Sequence, residues 1–203
     1  MNLTESQTVA IVRKIDPEFR WYVAQYDERK YPPAELHRLR DAFARPASVS
    51  GSNIKAALVW KYGHTGKDNY PKRHLELGMR IAKLWPDNAI QPGHDPECAF
   101  QQWWELLGPS SFITVCFLLH LANPDDIPIL DQHNFRSVNY HLMTGSRTRL
   151  SKAKPIRFED LVLVRDFSKV VLRDWGKAGV GATPSASDMD RYLMMHGKEM
   201  KKR

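Results

Sequence analysis

The sequence predicts an all-α protein, and three observations carry that reading. Apolar residues recur three and four positions apart along most of the chain. Periodic stretches open on helix-capping residues and close on Gly or Pro. No run alternates apolar and polar residues for long enough to make a strand. At 203 residues the chain is long enough for one substantial core, or for two small helical lobes around a cleft. It is expected to form a single helical unit over 1–203. Within it, residues 54–143 would make one lobe, with 1–44 and 158–198 supplying packing helices.

Taken in order, Thr4-Glu5-Ser6-Gln7 has capping-box spacing, and Val9, Ile11, Val12 and Ile15 continue an amphipathic first helix. Asp16-Pro17-Glu18 reads as the start of a second, with an N-cap, a proline at the first helical position and an acid near the positive dipole end. Its face carries Phe19, Trp21, Tyr22 and Tyr26, and Pro32-Pro33 ends it. Residues 34–44 form a third helix with Leu36, Leu39 and Phe43 in register. RPASVSGS, 45–52, is the clearest linker. Asn53 is placed to cap a helix over 54–62 that Gly63 ends. The polar, basic HTGKDNYPKRH follows, then a helix through Leu75, Met79, Ile81 and Leu84 that stops ahead of Pro86. Residues 97–107 are helical, 158–175 form a helix closed by Gly176, and 188–198 form a last helix before a basic tail.

A net charge of +7 points to a polyanionic partner such as nucleic acid. The longest apolar run, 112–122, is interrupted by His120 and is too short to cross a bilayer, so no membrane partner is expected. MNLTESQT lacks the basic-then-apolar layout of a signal peptide. Two cysteines, Cys98 and Cys116, make no disulfide framework and no thiolate metal site. A cytoplasmic monomer is expected, nucleoid-associated in a bacterium.

The stretch 103–141 organises the chain. It reads as a helix, a Gly-Pro turn (LLGPSSF), an apolar helix, a Pro-Asp loop and a buried Pro128-Ile129-Leu130 segment that delivers Asp131 to the start of another helix. The turn exposes backbone N–H groups suited to a phosphate. As an N-cap, Asp131 would accept bonds from first-turn amides, and capping does not exclude catalysis.

LLGPSSFITVCFLL and PILDQHNFRSV together resemble the helix-hairpin-helix (HhH-GPD) DNA glycosylase superfamily, the group of endonuclease III and adenine-DNA glycosylase. That family has a Leu-Pro-Gly-Val-Gly hairpin and, some nineteen residues on, an Asp opening a helix, often as Asp-x-His-x-x-Arg. Asp131, His133 and Arg136 match the second element. In the first, Leu107, Pro109 and Ser110 stand where Pro, Val and the second Gly are usual.

The resemblance implies a glycosylase-like fold acting on DNA, double-stranded with one base flipped out. Asp131 would stabilise the oxocarbenium-like sugar or orient the attacking water. Members that form an imine with the sugar carry a Lys early in the helix after the hairpin. Here Phe112 holds that position, flanked by Ser111 and Ile113, which implies a monofunctional enzyme without lyase activity. Gly108, Ser110 and Ser111 would meet phosphate, and the family's hairpin can hold a monovalent cation through its carbonyls. Two cysteines exclude a [4Fe–4S] cluster, and no cofactor or other metal is expected.

His133 is a further DNA-contact candidate, and Arg136 reads as a structural ion-pair partner. Trp60 and Tyr62 are candidates for a base pocket, with Lys61 and His64 beside them on DNA. Arg147 and Arg149, in the acid-free basic run 145–157, are candidates for tracking the backbone. Three alternatives stay open. One is a non-catalytic DNA-binding or scaffold protein with this fold, and a second is a related hydrolase of free nucleosides. The third is a metal-dependent hydrolase of the HD type, prompted by His94-Asp95, although GHDPE lies in a Gly/Pro loop and that family carries the pair on a helix.

Overall fold

A computed structural model describes residues 3–143 and 154–202, so Arg147 and Arg149 lie outside the described residues. Among the described residues the secondary structure is helical, with no strand. The helices are α1 (Glu5–Ala24), α2 (Pro33–Phe43), α3 (Gly51–Lys61), α4 (Lys72–Asn88), α5 (Pro96–Leu107), α6 (Phe112–Ala122), α7 (Gln132–Leu142), α8 (Phe158–Asp174) and α9 (Ala186–Lys202). None of the described helices is long and apolar enough to cross a membrane.

The chain forms two compact units, Asp27–Ile127 and Met1–Tyr26 with Pro128–Arg203. The expected lobes are therefore drawn differently. The buried stripe Leu36, Leu39 and Phe43 ties α2 to α3 and α6, whereas α7 packs chiefly on α9.

In the Asp27–Ile127 unit α6 is the central element. Ile113 aside, every residue from Phe112 to Ala122 is buried, as expected of a helix apolar on all sides. Three buried tryptophans tie loops to this core through their indole N–H groups. Trp60 donates to the Pro32 carbonyl, Trp85 to Pro46 and Trp103 to Asn88, each at 3.0 Å. Trp60 also stacks on Phe117 at 5.5 Å, and Phe43 meets Trp85 edge-on at 5.1 Å. The expected stop at Pro86 is not where α4 ends. Trp85 is buried beside it and the helix runs on to Asn88, whose side-chain amide donates to the Leu84 carbonyl at 2.9 Å. Asn53 is not the cap of α3 but completes a capping box with Ser50.

The other unit corrects the expected break at Asp16-Pro17. A single helix α1 passes through Pro17. A proline there gives up one backbone hydrogen bond, yet Ile11, Val12, Ile15, Phe19 and Tyr22 form one unbroken buried stripe against α8 and α9. Burying that stripe outweighs the lost bond. Trp21, expected on the same face, is exposed. At the end of α8 the chain winds on into a 3-10 turn, Trp175–Ala178, which Gly179 rather than Gly176 closes.

Each unit holds a neutral histidine in its packing, His120 buried and His141 half-buried. His120, on α6, hydrogen-bonds the Ile127 carbonyl through Nδ1 at 2.6 Å and accepts from the Arg40 guanidinium at Nε2. His141, on α7, lies 3.1 Å from the Tyr192 hydroxyl. Burial, reinforced by Arg40 at His120 and by His196 at His141, pushes each from 6.5 down to about 3. The unfolded chain takes up these protons near pH 6.5 and the folded chain resists until about pH 3. Their stabilising effect is thus complete above 6.5 and is lost as pH falls through that window. Urea titrations are expected to show stability dropping with acid by up to about 1.4 kcal/mol per pH unit for each ring. His141→Gln, which keeps a polar partner for Tyr192, should make the dependence shallower; a flat profile would contradict this account.

Candidate active site

Leu130 is fully buried and anchors the chain just before Asp131, whose own backbone is extended (φ −143°, ψ 179°). That conformation makes Asp131 the N-cap of α7. Its Oδ1 accepts from the amides of His133 at 2.6 Å and Asn134 at 2.9 Å. Both bonds fall on one oxygen. Oδ2 has no hydrogen bond among the described residues, and the side chain is half-buried.

The other two residues of the Asp-x-His-x-x-Arg pattern join Asp131 in one cluster. Arg136 is buried, 2% exposed, and donates to His133 Nδ1 at 3.2 Å and to Gln132 Oε1 at 3.1 Å. Its Nε has no partner. Arg136 is therefore not held by a direct carboxylate pair, and Asp131 acts on its charge only through space. Burial holds His133 below its ordinary value, with Asp131 and the Gly197 backbone opposing. A neutral His133 is what the Arg136 contact requires, because only an unprotonated Nδ1 accepts.

Backbone packing fixes this cluster from α9. A Cβ built on Gly197 would overlap the His133 carbonyl oxygen and press on its carbonyl carbon and Cα. Glycine is the one residue that lets α9 lie this close to the first turn of α7. Lys198, the next residue, adds positive charge near His133.

The hairpin belongs to the Asp27–Ile127 unit. Gly108 closes α5 at φ +82°, a conformation favouring glycine, and its amide donates to the Trp104 carbonyl at 2.8 Å. Pro109–Ser111 form a 3-10 turn leading into α6. Ser111 is buried and spends both its donors inside the turn, its amide on Gly108 and its hydroxyl on Leu107. It does not present a donor outward as expected, while Ser110 is exposed.

The four residues expected to gather at a base pocket separate. Trp60, 3% exposed, is part of the core described above. Lys61 is buried with its Nζ 5.4 Å from the Phe117 ring, not on an outward face. α3 is buried on several sides, which periodicity alone does not reveal. Tyr62 hydrogen-bonds Thr114 through its hydroxyl at 2.7 Å and stacks on His74 at 3.9 Å. His64 lines a cavity between α3 and α4 with His74 and Tyr70, two residues the sequence reading did not single out. The available signal was the recurrence of His and Tyr within HTGKDNYPKRH.

The HD-type geometry is not formed. His94 stands in a turn, and Asp95 caps α5, spending Oδ1 on the Glu97 amide and Oδ2 on that of Cys98. Among the described residues no three His, Cys, Asp or Glu side chains are grouped to hold a metal ion.

The close approach of α9 sets the sign of one substitution. Gly→Ala inside a helix ordinarily gains about 1 kcal/mol. At Gly197 the methyl group meets backbone, which cannot rotate aside, and overpacking of this kind costs about 1–3 kcal/mol. Gly197→Ala is expected to lower the melting temperature and to shift the His133 amide resonance; an unchanged or raised melting temperature would show that α9 is not seated this way.

No family model, curated protein or solved structure matches the chain.

Proposed function

We propose that this protein is a monofunctional DNA glycosylase that hydrolyses the N-glycosidic bond of a damaged or modified base, with Asp131 as its catalytic carboxylate. The observation that carries the reading is the arrangement of Asp131. One oxygen is fixed by two amides, so the carboxylate has a set orientation, and the other oxygen is outside the cap. A charge held in place beforehand gains most when positive charge develops opposite it, as at a sugar losing its base. The same oxygen is suited to accept a proton from an attacking water. His133 and Arg136 act as positioning residues, bracing the first turn of α7. With the Gly108 amide spent on Trp104 and the donors of Ser111 turned inward, Ser110 and the net charge of +7 are the features that would engage phosphate.

The nearest alternative, a DNA-binding scaffold, is favoured by the same cap, since two amide bonds justify an aspartate there without chemistry. One substitution separates the two. Asp131→Asn keeps an oxygen for both amides and removes the negative charge. On duplexes carrying a panel of damaged and modified bases, followed by alkali, wild type is expected to generate abasic sites. The variant should do so at least about 100-fold more slowly with its melting temperature nearly unchanged. Equal rates would remove Asp131 from catalysis, and DNA binding without abasic sites from either protein would favour the scaffold.

With Phe112 in place of a lysine at the start of α6, no imine with the sugar is expected. Borohydride added during turnover should leave no covalent protein–DNA adduct; a trapped adduct would assign a lyase step and an amine nucleophile.

A further inference from the structure

We propose that the cavity between α3 and α4 is a binding site for a planar nitrogen heterocycle, held edge-on by His64 and His74 against aromatic and aliphatic walls. Its volume is about 430 Å³, within the roughly 300–1,000 Å³ of small-molecule sites. Gly51, Gly78 and Ala82 face it, so the space between the helices is not filled from their backbones. Leu75 and Met79, 37% and 65% exposed, leave apolar surface at the same place with no core to cover it.

The polar groups decide what fits. His64 Nδ1 and Nε2 and His74 Nδ1 are shut off from solvent and have no hydrogen-bond partner. Each such buried group costs about 1–3 kcal/mol. These orphaned atoms cluster, since the two imidazole rings lie 5.4 Å apart. Burial lowers both histidines, so each ring is neutral at pH 7 and offers one donor and one acceptor. Rotation about the broad second side-chain torsion turns those nitrogens toward an occupant.

A bare anion would leave the acceptors unused and be desolvated against apolar walls. A hydrocarbon would leave all three nitrogens orphaned. A heterocycle that alternates ring nitrogens with N–H groups satisfies both requirements. Tyr62 stacks on the His74 ring, 12° from coplanar. Tyr70 lines the cavity with Lys55 Nζ 5.7 Å from its ring centroid. The inference does not rest on the glycosylase reading: the cavity residues are far in sequence from Asp131, and the argument uses only their unpaired ring nitrogens and the space between α3 and α4.

The test uses the full chain, with free adenine as the probe and naphthalene and zinc chloride as competing chemistries. Binding is read from the imidazole C–H resonances of His64 and His74 and by calorimetry. Adenine is expected to bind with a Kd below about 1 mM and to shift both imidazoles. His64→Phe should weaken it at least about tenfold, which is 1.4 kcal/mol, and Asp131→Asn should leave it unchanged. No shift with adenine would overturn the proposal, as would naphthalene binding as tightly. Stoichiometric zinc uptake that displaces adenine would make this a metal site and overturn it too. The resonance shifts are read on wild type, so the outcome stands even if His64→Phe does not fold.

Discussion

Where α9 crosses the first turn of α7 there is no room for a methyl group, and the Met1–Tyr26 with Pro128–Arg203 unit is built around that fact. Because Gly197 has no side chain, the two helices approach backbone to backbone rather than side chain to side chain. Their remaining faces then interlock closely. Ser137 on α7 hydrogen-bonds His196 on α9 at 2.8 Å, and Tyr192 stacks on Phe19 of α1 at 5.2 Å. Phe19 in turn meets Trp175 edge-on at 5.3 Å. The contact that seats α9 also holds the turn capped by Asp131, so the packing of this unit and the geometry of its candidate site have one cause.

Each unit sets an arginine against an imidazole, half-buried Arg40 on His120 and buried Arg136 on His133. An arginine inside a protein usually needs an anion, and an isolated buried charge is costly. Here Arg40 donates to His120 and Arg136 donates to His133, in each case to an imidazole that burial keeps unprotonated. A neutral acceptor carries a smaller desolvation cost than a carboxylate and still receives a charge-assisted bond. The arrangement depends on the ring staying neutral, since a protonated imidazole would offer the guanidinium a second cation. Among the described residues no arginine pairs directly with Asp131, so its carboxylate is held in direction by the two amides alone.

Much of the fold was legible from local signals. The Thr4 capping box, the α2 stripe and the apolar run of α6 each dictate helix through spacing that neighbours cannot easily overturn. The misreadings share a cause. Pro17 and Pro86 were read as breaks because a proline forfeits one hydrogen bond locally, whereas the buried residues on either side, Ile15 with Phe19 and Trp85, repay the loss from other helices. Trp60 and Lys61 looked like site residues because amphipathic spacing does not say how many sides of α3 are covered. Of the candidate site, Asp131 as a cap and the grouping of Asp131, His133 and Arg136 were legible, since all lie within one helical turn and a half.

The sequence by itself determined the helical class, most helix starts, and the placing of Asp131 at the head of α7, all consequences of interactions within a few residues. Tertiary structure alone decided that α7 joins the unit of the chain's two ends while α2 leaves it, that Ser111 turns inward, that Gly197 must be glycine, and that His64 and His74 meet across a cavity. Those depend on which faces remain to be buried once the helices exist, and distant segments settle that by packing against one another.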